Sequence, residues 1–525
     1  MSLAMILHYL KTSFEYKYLV EEVKKQKTNH FYGISGSQKS LWAALLVEIQ
    51  QRPLLYLVES VVKGKEIFDD FVNLFSPAEV QFFPAWESLP FEVLAQSPET
   101  RYQRLKVLEG LLSGKTKVVV TTWEAFSKTL LPPDCFRQAR RQLKVGQSVE
   151  LDELIAYLDT LGYQHVERVE EGGQFSRRGG ILDIFPPGLD DPYRLEFFDC
   201  EIESIRLFSP ESQRSRQKVS EIILMPAGEF FILKEKKESA WANLEKEADV
   251  FLNKLKQKGC KEAFHNFTNK LKTARDFIEQ GNFFHGSEQL LPYFIQEKYM
   301  LSDYFLQTPL LIFDEPHRQK QSCQVREKEM REIYLSLWEK GKVLPGQIDN
   351  YLGWRQMEQL WYQKNVYFFS LLPQKVATLP KVRSFGVVAK STNLFLGKLH
   401  LLADTLKVLK AQKYLVVILV NSEERIRRLK QGLWDMGLET TISERDLVFQ
   451  AGQIYLTTGY LTNGFELTDW KIVVFTEHEL FYQPKKKAPR RMFQDGKRVT
   501  FLEDLQVGDY VVHLNHGIGR YLGIE

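Results

Sequence analysis

The chain has 525 residues, of which 44% are hydrophobic and 26% are charged, and its formal net charge is +3. This length favours roughly three to four domains, and the ordinary composition excludes an extensively disordered protein. A charge so close to neutral neither requires nor excludes a nucleic-acid partner, because local basic clusters decide that interaction. No apolar run is long enough to span a membrane, and the first residues lack the order of a signal peptide. We therefore expect a soluble, cytoplasmic protein with no membrane partner.

Metal and disulfide chemistry have little support in the sequence. His513 and His516 lie three residues apart, but two such residues alone rarely form a metal site. The cysteines are widely separated and form no CxxC pair, which predicts neither a zinc site nor a disulfide framework. They are Cys135, Cys200, Cys260 and Cys323. We expect no bound metal in this chain.

Residues 1 to about 140 alternate between short apolar runs and helical patterns. The runs at 54–58, 80–83 and 117–121 are typical of strands, and 101–112 is typical of a helix. This alternation predicts a parallel sheet with helices on its faces.

A degenerate phosphate loop lies early in this region. Residues 30–49 read as a short apolar lead-in, a loop rich in glycine and serine, and an amphipathic helix. A working loop has the form GxxxxGK[ST], because backbone N–H groups surround the phosphates while Lys and Ser or Thr serve phosphate and magnesium. Gln38 replaces the second glycine, whose lack of a side chain permits close phosphate approach. The residues that remain are Gly33, Gly36, Lys39 and Ser40.

An acidic pair follows an apolar strand at 310–314. Asp314 and Glu315 are placed like the magnesium-binding acids that accompany a phosphate loop. One interpretation is an ATPase in which Lys39 and Ser40 bind phosphate and magnesium and Glu315 orients water. The other is a vestigial nucleotide site, which we favour because nothing after Asp314 resembles a second motor domain with an arginine finger. We predict no catalytic residue.

Residues 172–216 predict a small sheet that displays arginines and aromatic side chains. Strands are expected at 181–185, 193–198 and 202–208, separated by Gly-Gly and Pro-Pro turns. Arginine and aromatic residues are common interface anchors. Because successive strand residues face opposite sides, only one of Phe197 and Phe198 is expected to be available to a partner. An alternative for Arg194 and Arg206 is pairing with Glu196, Glu201 or Glu203 across a hairpin.

The rest of the chain changes character twice. Residues from about 226 to 385 are mainly helical, whereas 386–480 form another α/β pattern with helices at 398–413 and 423–436 and a strand at 414–420. Ser422 is placed to cap the second of these helices. Residues 485–491 are basic and interrupted by proline, which is typical of a linker.

Several of these segments resemble one family, the Mfd-type transcription-repair coupling factors. The loop GISGSQKS, the FPAWESL segment at 83–89, RRGGILDIFPPG, YRLEFFDCEIESIR, GFELTDWKIVVFTEHELF and the final VGDYVVHLNHGIGRYLGIE occur in the family's order. The first 385 residues are also similar to the damage-recognition protein UvrB. However, the ten residues between Pro90 and Arg101 leave no room for the long aromatic hairpin of UvrB-like proteins.

The resemblance implies a domain plan and a fold class. The fold is α/β and multidomain: a degenerate P-loop NTPase-like parallel sheet, an inserted mainly-β UvrA-binding domain, a second small α/β domain and the start of a Tudor- or CarD-like β domain. The implied domains are the first part of a UvrB-like nucleotide-binding domain (1–142), the UvrA-binding domain (143–225), the second part of the nucleotide-binding domain (226–385), a family-specific α/β domain (386–482), a basic linker (483–500) and an incomplete RNA-polymerase-interaction domain (501–525).

The resemblance also implies a function. Matching motif positions assign UvrA binding to Arg178, Arg194 and Phe198, with Arg177 and Arg206 as additional contacts. We expect an N-terminal fragment that recruits UvrA in transcription-coupled nucleotide excision repair, without catalysis and without a cofactor of its own. The intact family protein is an ATP-dependent translocase that displaces stalled RNA polymerase, with ATP, magnesium and double-stranded DNA bound mainly by a motor missing here.

Two other classes of function remain open. The first is an ATP-dependent UvrB-like enzyme that verifies damage itself and binds nucleotide at Lys39. The second is a general nucleic-acid scaffold using the basic run 485–491, which predicts a steep salt dependence of DNA affinity.

Overall fold

The structure, a computed structural model, describes most of the chain in two compact units, residues 1–482 and 483–525. The described residues are 2–25, 28–86, 91, 97–189, 191–231, 234–280, 286–361, 365–374, 382–443, 449–481, 510–513 and 517–520. The basic linker 483–500, His516 and residues 92–96, which are half of the segment between Pro90 and Arg101, therefore lie outside the described residues.

The strands, in chain order, are β1 (Thr28–Tyr32), β2 (Leu54–Val58), β3 (Val80–Phe83), β4 (Val118–Thr122), β5 (Arg141–Lys144), β6 (Gln164–His165), β7 (Gln174–Arg178), β8 (Ile181–Phe185), β9 (Tyr193–Phe198), β10 (Glu201–Phe208), β11 (Ser215–Val219), β12 (Glu221–Leu224), β13 (Leu310–Asp314), β14 (Val366–Ser370), β15 (Arg383–Gly386), β16 (Ala389–Ser391), β17 (Leu415–Val420), β18 (Thr441–Ile442), β19 (Ile454–Thr458), β20 (Phe465–Leu467), β21 (Ile472–Phe475), β22 (Tyr510–His513) and β23 (Gly517–Arg520).

The α-helices, in chain order, are α1 (Ser2–Lys11), α2 (Phe14–Lys24), α3 (Ser37–Gln50), α4 (Val61–Leu74), α5 (Pro98–Leu112), α6 (Trp123–Ser127), α7 (Pro133–Gln138), α8 (Leu151–Thr160), α9 (Lys237–Gln257), α10 (Lys261–Gln280), α11 (Leu291–Phe294), α12 (Pro316–Glu339), α13 (Trp354–Trp361), α14 (Leu399–Ala411), α15 (Glu423–Asp435) and α16 (Glu477–Phe481).

The first sheet confirms the predicted parallel α/β architecture. Its seven strands have the order β15-β1-β14-β13-β2-β4-β3, and every pairing is parallel. Strand β2 is buried on both faces, since Leu55 and Leu57 face one hydrophobic core and Leu54, Tyr56 and Val58 face another. Chain segments between β4 and β13 build the mainly-β region and the helices α9–α11, so the sheet is completed by residues far along the chain.

The inserted β region is a six-stranded sheet of order β11-β10-β9-β8-β7-β6. Strands β8 and β9 occupy the predicted residues, while β10 begins one residue earlier than predicted, directly after a turn in which Asp199 has a φ of 56°. One face of this sheet joins the core of the first unit through Leu182, Leu195 and Ile205. The insertion is therefore packed onto the parallel sheet.

A second α/β sheet follows, with six strands in the order β16-β20-β21-β17-β19-β18. The side chain of Ser422 accepts a hydrogen bond from the Arg425 N–H at the start of α15, which confirms the predicted helix cap. Helices α14 and α15 begin and end within two residues of their predicted bounds, which confirms both predictions.

Helix α3 lies between the two α/β sheets. The prediction of an amphipathic helix is wrong here, because residues 37–46 are buried on every side. Leu41, Leu45 and Leu46 share a hydrophobic core with β17 and β21 of the second sheet. A helix that is apolar all round is typically enclosed in this way. The phosphate loop therefore precedes a helix that both sheets cover.

The unit at 483–525 contributes one described hairpin, in which β22 and β23 pair antiparallel. His513 ends β22 and pairs in register with Gly517. Among the described residues, no helix combines the length and apolar character needed to cross a bilayer.

Candidate functional sites: a degenerate phosphate loop and an arginine-rich sheet face

The predicted phosphate loop joins β1 to α3. Gly33 and Gly36 have φ angles of +87° and +52°, a region that side chains disfavour, so both glycines are required by the backbone. Lys39 and Ser40 lie in the first turn of α3. The strand–loop–helix context is therefore that of a phosphate loop.

Lys39 contacts both acids at the end of β13. Its Nζ donates to Asp314 Oδ1 and, at 2.9 Å, to Glu315 Oε1. Burial opposes the charge of Lys39, but the two carboxylates outweigh it and hold its pKa above the ordinary value. Burial raises the pKa of Asp314, and Lys39 offsets this only in part. The acidic pair therefore lies against the lysine of the loop, and the lysine charge is already paired.

The Ser40 hydroxyl is hydrogen-bonded to a carboxylate that was not among the predicted site residues. Ser40 Oγ donates to Asp70 Oδ2 at 2.8 Å, and Asp70 is 1% exposed. Burial raises the pKa of Asp70 to about 6, against hydrogen bonds from Thr462, Ser37 and Ser40 that lower it. No motif marks Asp70, which lies in the middle of α4.

Gln38 satisfies the loop that it interrupts. Its Oε1 accepts from the Ser35 N–H at 2.9 Å, and its Nε2 donates to the Lys390 carbonyl at 3.1 Å. In a working loop, N–H groups of this kind are left for phosphate oxygens. Gln38 therefore supplies a hydrogen-bond acceptor for the Ser35 N–H of the loop.

Four of the five predicted interface residues lie on one face of the inserted sheet. The register pairs Arg178 with Ile181, Ile181 with Glu196, and Glu196 with Ser204. Because side chains alternate along each strand, Arg194, Phe198 and Arg206 share this face. Arg177 is on the opposite face, where its guanidinium pairs with Asp152 of α8 at 2.5 Å.

The arginines on this face differ in how they are held. Arg194 makes two parallel bonds to Asp183, and its Nη1 donates to the Gln213 carbonyl at 3.2 Å. Arg206 contacts Glu196 at 3.0 Å, which is one of the pairings predicted from sequence. The partner of Arg194 is instead Asp183, which was not among the predicted acids.

Arg178 and Phe198 are the exposed members of the face. Phe198 is 77% exposed, whereas Phe197 packs against the core, as the strand alternation predicts. Arg178 donates to the Glu167 carbonyl at 2.8 Å and has no carboxylate partner among the described residues. The turn after Arg178 is open, since a Cβ at Gly179 would meet nothing within 4 Å. Within the described ranges, no group of three or more His, Cys, Asp or Glu side chains is placed to hold a metal ion.

Comparisons with known proteins define the class of this chain. Residues 142–230 match the UvrB interaction domain, residues 409–480 match the MFD D3 domain, and residues 505–525 match the CarD-like/TRCF RID domain. The chain is thus an α/β protein of several domains with a UvrB-type interaction domain inserted into its first sheet.

The curated relatives are transcription-repair-coupling factors. The chain is 31% identical to that of Bacillus subtilis over 520 residues, covering 98% of this chain and 44% of the relative. It is 28% identical to those of Staphylococcus epidermidis (99% of this chain, 44% of the relative) and Staphylococcus aureus (94% and 42%). The chain is therefore similar to the transcription-repair-coupling factors over almost all of its own residues, as its motifs indicated, and it spans less than half of their length.

Proposed function

We propose that this chain is a module that recruits UvrA in transcription-coupled nucleotide excision repair. The observation that carries the proposal is the exposure of both Phe198 and Arg178 on one face of the UvrB-type interaction domain. Exposed aromatic and arginine residues are the usual anchors of an interface hot spot. The module would bind UvrA on the surface that UvrA offers to UvrB.

Charge on this face supports an acidic partner surface. Arg194 and Arg206 form ion pairs with the described carboxylates of Asp183 and Glu196. Because Arg194 and Arg206 are paired, Arg178 supplies the unpaired positive charge. Charge complementarity of this kind mainly increases the association rate and the specificity of binding. In this proposal Phe198 becomes buried against UvrA, and Arg178 makes the electrostatic contact. Arg194 stabilises the sheet face that carries both residues.

The wider role follows the family. We propose that RNA polymerase is a second partner, through the domain that begins within residues 501–525, and that the intact protein is an ATP-dependent translocase on double-stranded DNA that displaces stalled polymerase. We also propose the domain bounds given above, with UvrA bound within 143–225 and the α/β domain at 386–482 acting as a spacer. The match of residues 505–525 to the CarD-like/TRCF RID domain supports the polymerase assignment.

We propose further that the phosphate loop of this chain has no nucleotide-dependent activity. The contacts of Lys39 with Asp314 and Glu315 support this, because the single charge of Lys39 is already paired with carboxylates and is not available to phosphate. The rival function is an ATP-dependent UvrB-like enzyme, and the loop sequence together with the closeness of Lys39 to two acids is the observation in its favour.

Calorimetric titration separates the two functions. The chain is titrated with UvrA and, separately, with ATP and magnesium. Heat on mixing with UvrA and none with nucleotide is the expected result. Nucleotide binding without UvrA binding would overturn the recruitment proposal and support the enzyme.

A further inference from the structure

The phosphate loop is covered by Val387, which directly follows β15, and by residues of the second α/β region. A Cβ at Gly33 would lie 2.4 Å from the Val387 carbonyl oxygen, and one at Gly36 would lie 3.0 Å from Asn463 Oδ1. The Lys390 carbonyl accepts from Gln38. Both glycines thus allow another group to lie close to the loop backbone. In this structure, that group is another part of the protein chain.

Hydrogen bonds fix the covering residues in place. The Thr462 N–H donates to Asp70 Oδ1 at 2.7 Å, and the Asn463 N–H donates to Ser37 Oγ at 3.0 Å. Ser37 in turn hydrogen-bonds Asp70. Thr462 Oγ1 also donates to the Glu66 carbonyl at 3.2 Å. The loop and α4 therefore act as acceptors for backbone donors of the second sheet.

Glu479 holds the same segment from the other side. Its Oε1 accepts from the Gly464 N–H at 2.9 Å, and its Oε2 accepts from the Thr476 N–H at 2.8 Å. Glu479 is 3% exposed. A Cβ at Gly464 would lie 2.6 Å from the Val474 carbonyl, so this residue must be glycine for the segment to fit.

We propose that residues 462–464, which we call the plug, are a built-in ligand of the phosphate loop. The loop has become a docking socket for the second α/β sheet, and the plug takes the place of the nucleotide. This inference concerns residues remote from the arginine-rich face, and it does not depend on UvrA binding.

The balance of hydrogen-bond donors and acceptors supports the replacement of a nucleotide by the plug. A nucleotide site presents unsatisfied N–H groups and a free lysine to an anion. In this loop the Ser35 N–H is taken by Gln38, Lys39 by two carboxylates, and Ser40 by Asp70. The plug donates backbone N–H groups to the acceptors Asp70 Oδ1 and Ser37 Oγ, whereas phosphate oxygens are themselves acceptors and could not pair with these two groups. The socket therefore has the polarity that fits a peptide segment.

The Gln38→Gly variant distinguishes two explanations of why the loop would not bind a nucleotide. If the missing glycine alone excludes nucleotide, the Gln38→Gly variant, which restores GxxxxGK[ST], gains binding of ATP with magnesium. If the plug fills the site, this variant gains no ATP-dependent rise in melting temperature, because the plug and the carboxylates remain. The plug account also predicts a lower urea midpoint for Gln38→Gly, since Ser35 loses its acceptor. An ATP-dependent stabilisation of folded Gln38→Gly would overturn the proposal.

A second pair of variants tests the socket without restoring the motif. Ser37→Ala removes the acceptor of the Asn463 N–H. Ser35→Ala is the control, because the Ser35 hydroxyl makes no hydrogen bond within the described part of the chain. Hydrogen exchange of a peptide covering residues 460–467 is measured by mass spectrometry. We expect Ser37→Ala to speed exchange there about fivefold, as loss of one hydrogen bond implies, and Ser35→Ala to leave it unchanged. Equal exchange in the two variants would contradict the socket.

Discussion

The guanidinium of Arg194 holds the carboxylate of Asp183 through two parallel hydrogen bonds, Nε to Oδ1 at 2.7 Å and Nη2 to Oδ2 at 2.8 Å. The Asp183 side chain is 2% exposed and that of Arg194 is 17% exposed. The Arg194 guanidinium also lies 4.7 Å from the centre of the Phe208 ring. Arg194 is therefore a structural element of the sheet face that carries Phe198.

Replacing Arg194 is expected to destabilise the inserted sheet. Arg194→Ala leaves the buried Asp183 carboxylate unpaired, which costs about 3 kcal/mol of unfolding free energy. Urea denaturation followed by circular dichroism measures this loss. Arg216→Ala is the matched control, because its pair with Asp191 is exposed, with side-chain exposures of 58% and 31%, and such pairs contribute at most ~1 kcal/mol. Equal midpoints for the two variants would contradict this role of Arg194.

This pairing changes how a charge swap at Arg194 is interpreted. Arg194→Glu places two carboxylates together, so a loss of UvrA binding would report unfolding as well as a lost contact. The double variant Arg194→Asp with Asp183→Arg retains opposite charges across β8 and β9. We expect it to regain part of the stability lost by Arg194→Glu, measured again by the urea midpoint.

Removal of Lys39 is expected to destabilise the first unit even though no nucleotide is bound. Lys39→Met leaves Asp314 and Glu315 without their shared cation, at a cost of about 3 kcal/mol. Burial already raises the pKa of Asp314, and without Lys39 nothing of comparable strength lowers it. A raised pKa in the folded state means that stability is present at low pH and is lost as pH rises through it.

The deficit of Lys39→Met should accordingly be larger at pH 8 than at pH 5. Lys117→Met serves as the control, since the Lys117–Glu79 pair is surface-exposed, with 60% and 31% side-chain exposure. Thermal melts at the two pH values measure the difference. A deficit that is the same at both pH values, or absent, would show that the two acids do not depend on Lys39.

Asp70 gives a separate pH dependence. Burial raises its pKa from 3.8 to about 6, so folding favours the protonated form, and the stability due to this group falls as pH rises from about 4 to about 6. Asp70→Asn retains an oxygen that accepts from the Thr462 N–H but never ionises. We expect this variant to be more stable than the wild type at pH 8, by up to about 3 kcal/mol, and similar to it at pH 4.

Melting temperatures of the wild type and of Asp70→Asn across pH 4–8 test this expectation. The two curves should diverge between about pH 4 and about pH 6 and remain apart above it. Curves that stay parallel over the whole range would mean that folding does not raise the pKa of Asp70.

The sequence predicted the inserted sheet and the positions of the loop and acid motifs because local signals specify them. Gly179-Gly180 and the prolines after Phe185 bound β8, and the loop and acid motifs belong at the carboxyl ends of parallel strands, where Lys39 and Asp314 meet. Phe197 and Phe198 follow from strand alternation alone. In each of these cases the relevant information lies within a few residues.

The remaining features depend on tertiary structure that no local pattern encodes. The bond between Thr462 and Asp70 joins residues 392 positions apart in the chain, and neither belongs to a motif. The pairing of Arg194 with Asp183 needs the register of β8 on β9. The one missed signal was the composition of α3, whose run LWAALL is apolar on every side and indicates a helix enclosed by two layers.

Binding of UvrA to a Phe198→Ala variant tests the central claim most directly. Phe14→Ala is the matched control, because Phe14 and Phe198 are each 77% exposed and Phe14 lies on α2, outside the inserted sheet. Neither substitution removes a buried contact, so both variants should keep the wild-type melting temperature. The dissociation constant for UvrA is measured by calorimetry for the wild type and both variants.

We expect Phe198→Ala to weaken UvrA binding by about 2 kcal/mol, or roughly thirtyfold, as loss of a hot-spot aromatic residue implies. Phe14→Ala should bind as the wild type does. Arg178→Glu should also weaken binding, whereas Arg355→Glu, at an exposed arginine of α13, should not. Wild-type affinity for UvrA in both Phe198→Ala and Arg178→Glu would contradict the proposal that this face recruits UvrA.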